Sequence, residues 1–105
     1  MSFTGPVEDR LAIRELCDRY ADAVMSKDRV KFGETFAEDA ERVRLGNVTK
    51  GRAAIVAETG KNMDIYSTGV FFCNIGGTQV NGDRATGRCY QSEILFLPGG
   101  PQWFF

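Results

Sequence analysis

"VFFCNIGGTQVNGDRATGRCYQSEILFL", residues 70–97, decides the fold. Two extended runs, rich in β-branched and aromatic residues, flank Asn81-Gly82, the strongest short hairpin signal. With Asn81 and Gly82 as a two-residue loop, Val80 faces Asp83, and Thr78, Gly76 and Asn74 face Ala85, Gly87 and Cys89. One face of the hairpin is then small in side-chain volume. Gly76-Gly77 also invites a β-bulge, which bends the strand and can shift this register. A bent sheet with small residues on its concave face either leaves room for a ligand or lets helices pack closely.

The segment before the hairpin reads as helical. Ile13, Leu16, Cys17, Tyr20 and Val24 form one apolar stripe, which predicts a helix over about Val7 to Met25. Pro6 suits its start, and Glu8 and Asp9 lie near its positive end. Asp28 is the expected N-cap of a second helix carrying Val30, Phe32 and Phe36. Ala40 to Leu45 reads as a short strand with Val43 and Leu45 on one face. Gly46-Asn47 is the expected turn after it. A third helix is predicted over about Arg52 to Met63. Pro98-Gly99-Gly100-Pro101 turns the chain, and Gln102 to Phe105 opens a further strand. An apolar end of this kind predicts packing into the sheet, packing against a partner, or a fold that continues beyond it.

Composition narrows the functions. A chain of 105 residues predicts one domain, 1–105, with a modest core. The net charge of −1, with no Lys/Arg block, argues against nucleic acid or an anionic membrane as partner. No apolar run approaches the roughly 20 residues of a membrane span. Cys17, Cys73 and Cys89 are an odd, widely spaced set that suits reduced thiols and a cytoplasmic location. The chain contains no histidine. That removes every Ser-His, Cys-His and Asp-His catalytic pair and most transition-metal sites. Neither metal nor cofactor is expected.

Five segments in order resemble the SnoaL-like domains of the NTF2-like superfamily. They are Tyr20-Ala21-Asp22-Ala23, Ser26-Lys27-Asp28, Phe36-Ala37-Glu38-Asp39-Ala40, Gly51-Arg52-Ala53-Ala54-Ile55, and Asn81 through Tyr90. The resemblance implies an α+β cone-shaped barrel, with N-terminal helices on a curved, mainly antiparallel sheet whose last strand is open to being absent. It also implies an apolar pocket between sheet and helices, taking an apolar small molecule, and a homodimer. The superfamily holds scytalone dehydratase-like lyases, ketosteroid isomerases, polyketide cyclases and non-catalytic binding domains, so the fold leaves the function open.

The catalytic groups that the resemblance leads one to seek are missing. The aspartate place of the dehydratase-like members holds Met25. Their histidines are expected near Cys73 or Asn74 and near Cys89 or Tyr90. The isomerase carboxylate is expected near Arg44. Tyr20 matches the isomerase tyrosine that donates to the substrate oxygen, and is otherwise a core tyrosine. Glu93 shares a strand face with Cys89 and Gln91. That placement either admits it to the pocket as a raised-pKa base or leaves it at the sheet edge in solvent. The expected pocket residues are thus Met25, Phe36, Cys73, Asn74, Cys89 and Tyr90, with Tyr20 and Glu93 as catalytic candidates. Three readings stand: a binder or degenerate enzyme, a lyase or isomerase, and a pure assembly domain.

Overall fold

The computed structural model describes residues 1–104, so Phe105 lies outside the described residues. The order is β1 (Phe3–Thr4), α1 (Val7–Ser26), α2 (Arg29–Glu34), β2 (Glu41–Arg44), β3 (Asn47–Lys50), α3 (Arg52–Met63), β4 (Thr68–Asn81), β5 (Arg84–Leu97) and β6 (Gly100–Phe104). The strands form an open sheet of order β1-β4-β5-β6 and a separate β2-β3 hairpin. Helices and sheet make the α+β architecture that the sequence implies.

The stripe of α1 faces the sheet and ends in buried Ala21, Ala23 and Val24. Its C-terminus is closed by Lys27 in the left-handed region (φ 58°), with the Asp28 N–H donating to the Ala23 carbonyl at 2.9 Å. Asp28 then caps α2, its carboxylate accepting from the Lys31 N–H at 3.0 Å. Arg29 ties α2 to the end of α3, donating to the Gly60 carbonyl at 2.7 Å and pairing with Asp64. Phe32, Ile55 and Met63 are fully enclosed between helices and sheet. Burying side chains of this size contributes roughly 1.5–3 kcal/mol each.

The β4–β5 hairpin is present, but its turn lies one residue further on. Asn81 pairs with Arg84, and the loop is Gly82-Asp83, with Gly82 at φ 64°. Glycine in the first loop position supplies the positive φ that a type II′ turn requires there. Thr78 therefore faces Gly87, and Val80 faces Ala85. The expected bulge lies between Ile75 and Gly77 and shifts the register back, so that Ile75 faces Cys89 and Phe71 faces Glu93. One extra residue inverts the alternation. Gly69, Phe71, Cys73 and Ile75 point to the helices before the bulge, and Thr78 and Val80 after it.

The small-residue half of the hairpin is filled by the N-terminus. β1 runs parallel to β4, pairing Phe3 with Thr78 and Thr4 with Gln79. A Cβ on Gly77 would come within 2.7 Å of Met1, and one on Gly5 within 2.6 Å of Val80. The larger space beside the sheet is at the other end, near Phe71, Glu93 and Leu95.

The β2–β3 hairpin corrects a second expectation. Its turn is Leu45-Gly46, both at positive φ, with Arg44 paired to Asn47. Leu45 is fully exposed, at 102% of its reference area, while the Arg42 side chain keeps only 12%. Arg42, rather than Leu45, is the inward residue. On the outer face of the main sheet Phe72, Tyr90, Phe96 and Trp103 remain exposed.

Candidate functional site

A cavity of about 630 Å³ opens between the end of α1, Phe36 just after α2, α3, the β2 strand and the base of the sheet. Its size falls within the range of small-molecule pockets. β5 supplies Gln91, Glu93, Leu95 and Leu97, alternate residues on one face, and β4 supplies Phe71 opposite Glu93. α1 contributes Tyr20 and Val24, one helical turn apart. Thr59 and Asn62 come from α3, Arg42 and Arg44 from β2, and Phe104 from β6.

The apolar wall is aromatic. The Tyr20 ring lies 5.3 Å from Phe32, 6.0 Å from Phe36 and 5.5 Å from Phe71, all tilted or edge-on. This packing fixes the ring. Among the described residues its hydroxyl has no hydrogen-bond partner. Burial raises the Tyr20 pKa, opposed by the charges of Arg42 and Arg44, so the phenol is a proton-bearing donor at neutral pH.

Glu93 is the carboxyl group of the cavity. It is half-buried, and desolvation raises its pKa, with Arg44 pulling the other way. Arg42 donates from Nη1 to the Thr59 hydroxyl at 2.7 Å and stands 3.5 Å from Glu58. Its Nε and Nη2 are buried with no hydrogen-bond partner among the described residues. The Thr49 hydroxyl donates to Glu58, and this hydrogen bond above all lowers that carboxyl's pKa.

Of the residues singled out in the sequence, Tyr20, Glu93 and Phe36 line this cavity. Met25, Cys73, Asn74, Cys89 and Tyr90 do not. Met25 is partly exposed on α1. Asn74 and Tyr90 face each other on the outer side of the sheet. Cys73 and Cys89 sit diagonally across β4 and β5 on the helix side, with Cys17 of α1 near them. The Cys73 thiol is pushed up to about 12 by burial and then by Cys89. Burial also raises Cys17. Such thiols are poor nucleophiles. Among the described residues no cluster could hold a metal ion.

Arg42, Arg44, Thr59, Asn62 and Gln91 were missed as lining residues. The two arginines alternate on a short predicted strand, which assigns them one common face. The sequence puts Val43 and Leu45 on one face without assigning the other to the core, and Val43 borders the cavity as well.

The SnoaL-like domain family model matches residues 6–105, and the chain belongs to that family. Its fold is the NTF2-like one, with the sheet left open. A Mycobacterium tuberculosis protein of unknown function has a TM-score of 0.83 and 25% identity over 93% of this chain. The match spans 61% of that protein's length. A candidate aromatic ring hydroxylase from Novosphingobium aromaticivorans gives 0.84 and 27%, covering 96% of this chain and 79% of that one. A candidate scytalone dehydratase from the same organism gives 0.79 at 16%, covering 92% and 66%, a likeness of fold alone. Among proteins of curated function none matches. No helix among the described residues is long and apolar enough to cross a membrane.

Proposed function

We propose that this domain binds a small, largely apolar ring compound in the 630 Å³ cavity and carries out proton transfer on it, as a lyase or isomerase. One observation carries the reading. A tyrosine hydroxyl without a hydrogen-bond partner among the described residues and a carboxyl group raised by burial open on the same aromatic-walled cavity. Tyr20 is the donor suited to a developing oxyanion, and Glu93, its pKa raised by burial, is the group suited to take or return a proton. No histidine or metal is needed for either role.

A second reading keeps the pocket without turnover. Met25 stands outside the cavity in the place where the family resemblance led one to seek an aspartate, which favours a domain that holds its ligand without transforming it. The exposed apolar outer face, with Phe72, Tyr90 and Phe96, supports association of two copies. Sedimentation across a concentration series tests that part.

The test of function is a thermal-shift screen with hydroxylated polycyclic, steroid-like and aromatic polyketide compounds. A ligand at about 100 times its dissociation constant adds about 2.7 kcal/mol. Binding followed by loss of the compound, abolished in Glu93→Gln with binding intact, is the result expected. Binding without any change in the compound selects the second reading. A flat screen overturns both.

A further inference from the structure

The cavity is not electrically neutral. Arg42 and Arg44 stand on its β2 wall, two residues apart, whereas Glu93 is the single carboxylate among its described lining residues. Arg42 is the more telling of the two. Its side chain is 12% exposed, and among the described residues its charge is met only by Glu58 at 3.5 Å, a residue whose own side chain is 44% exposed. The buried Arg42 Nε has no acceptor among the described residues, and Nη2 has only Glu58 Oε2 at 3.5 Å; such donors are costly, and native structures keep them where something else completes them. Arg44 makes no salt bridge among the described residues. The facing wall is apolar, built from Phe36, Phe71, Leu95 and Leu97.

Resting on the reading of this cavity as a small-molecule pocket, we infer that its ligand is a ring compound bearing a carboxylate, whose acid group is held at the β2 wall by Arg44 with Arg42 behind it. The guanidinium fork matches a planar carboxylate and offers it two parallel donors. Among the described residues no lysine and no helix start lines the cavity, so a singly charged planar oxyanion fits it better than a phosphate. The ring then lies on the aromatic wall, with Tyr20 and Glu93 beside it.

The test is calorimetric titration with a matched pair, 2-naphthoate and 2-naphthamide, which differ in charge and little in shape. In the wild-type protein the carboxylate is expected to bind about tenfold tighter than the amide. In Arg44→Gln that preference is expected to vanish while the amide binds as before. Arg42→Gln removes a buried group bonded to Thr59, so its melting curve is measured first. Arg44 is exposed, and its variant carries the test if Arg42→Gln fails to fold. Amide affinity equal to or above that of the carboxylate overturns the inference and leaves the pocket standing. Survival of the preference in Arg44→Gln also overturns it. Binding of neither compound, alongside a flat screen of neutral ring compounds, removes the pocket and the inference together.

Discussion

The Tyr66 hydroxyl donates a 2.8 Å hydrogen bond to the carbonyl of Val24, 42 residues away in sequence and buried. Lys27, at the end of α1, closes the same junction from outside. Its Nζ donates to the Tyr66 carbonyl at 2.9 Å and stands 5.4 Å from the ring centroid. The end of α1 and the start of β4 are thereby joined at the edge of the cavity. Tyr66→Phe is expected to cost about 1 kcal/mol, a fall of roughly 4–8 °C in Tm for a domain near this size. Thermal melting checks it, and an unchanged Tm would make the bond irrelevant to stability.

Glu93 should weaken the fold that it serves. Its raised pKa means that the folded state holds the proton to higher pH than a free side chain, whose value is 4.5. The stability linked to this group is therefore fully present below about 4.5 and is lost as pH rises through the raised value. Glu93→Gln should melt above wild type at pH 8, with the gap closing toward pH 4. A variant less stable than wild type at pH 8 would mean that the carboxylate is satisfied rather than desolvated. Gain of stability with loss of function is common where an active group is held under strain.

The thiols should separate by reactivity. Cys89 is exposed, while the Cys73 thiol lies under α1 and is pushed up to about 12. Alkylation with iodoacetamide at pH 7.5, followed by peptide mass spectrometry, should modify Cys89 first. Cys73 should lag by at least an order of magnitude until denaturant is added. Equal labelling would contradict the packing of α1 on this part of the sheet.

Two alanine variants distinguish the observed turn from the one read in the sequence. Gly82 sits at φ 64° in the first loop position, whereas Asn81 is already paired in the ladder. Gly82→Ala is expected to cost about 1–2 kcal/mol, and Asn81→Ala to stay within about 0.5 kcal/mol. Urea unfolding measures both, and a larger loss at Asn81 would favour the other loop.

Much of the fold was legible because long elements carry long patterns. The third helix was read as Arg52 to Met63 and the second long strand as Arg84 to Leu97, and both are observed with those bounds. The short elements were not legible. β1 has two residues and no period of its own, existing only because β4 offers it an edge. β3 was read as the approach to α3, since four residues after a glycine turn carry little signal. Both turns were misplaced by one residue, because Leu45-Gly46 and Gly82-Asp83 are weaker turn pairs than their neighbours. Such a slip reverses every inward side chain of a strand. Asn74 was sought in the pocket for another reason, because the family resemblance leads one to expect a histidine near Cys73 or Asn74. Glu93 and Gln91 were assigned a common face from spacing within one strand, which no slip in pairing disturbs.

The inserted glycine between Ile75 and Gly77 has a consequence for how this domain can change over time. It divides one hairpin into two provinces with separate duties. Toward the tip, the sheet is committed to the chain's own first residues, and a side chain added at Gly77 would press on Met1. Toward the base, Phe71, Gln91, Glu93, Leu95 and Leu97 face the cavity. Side chains can therefore change at the base while the tip keeps the molecule folded.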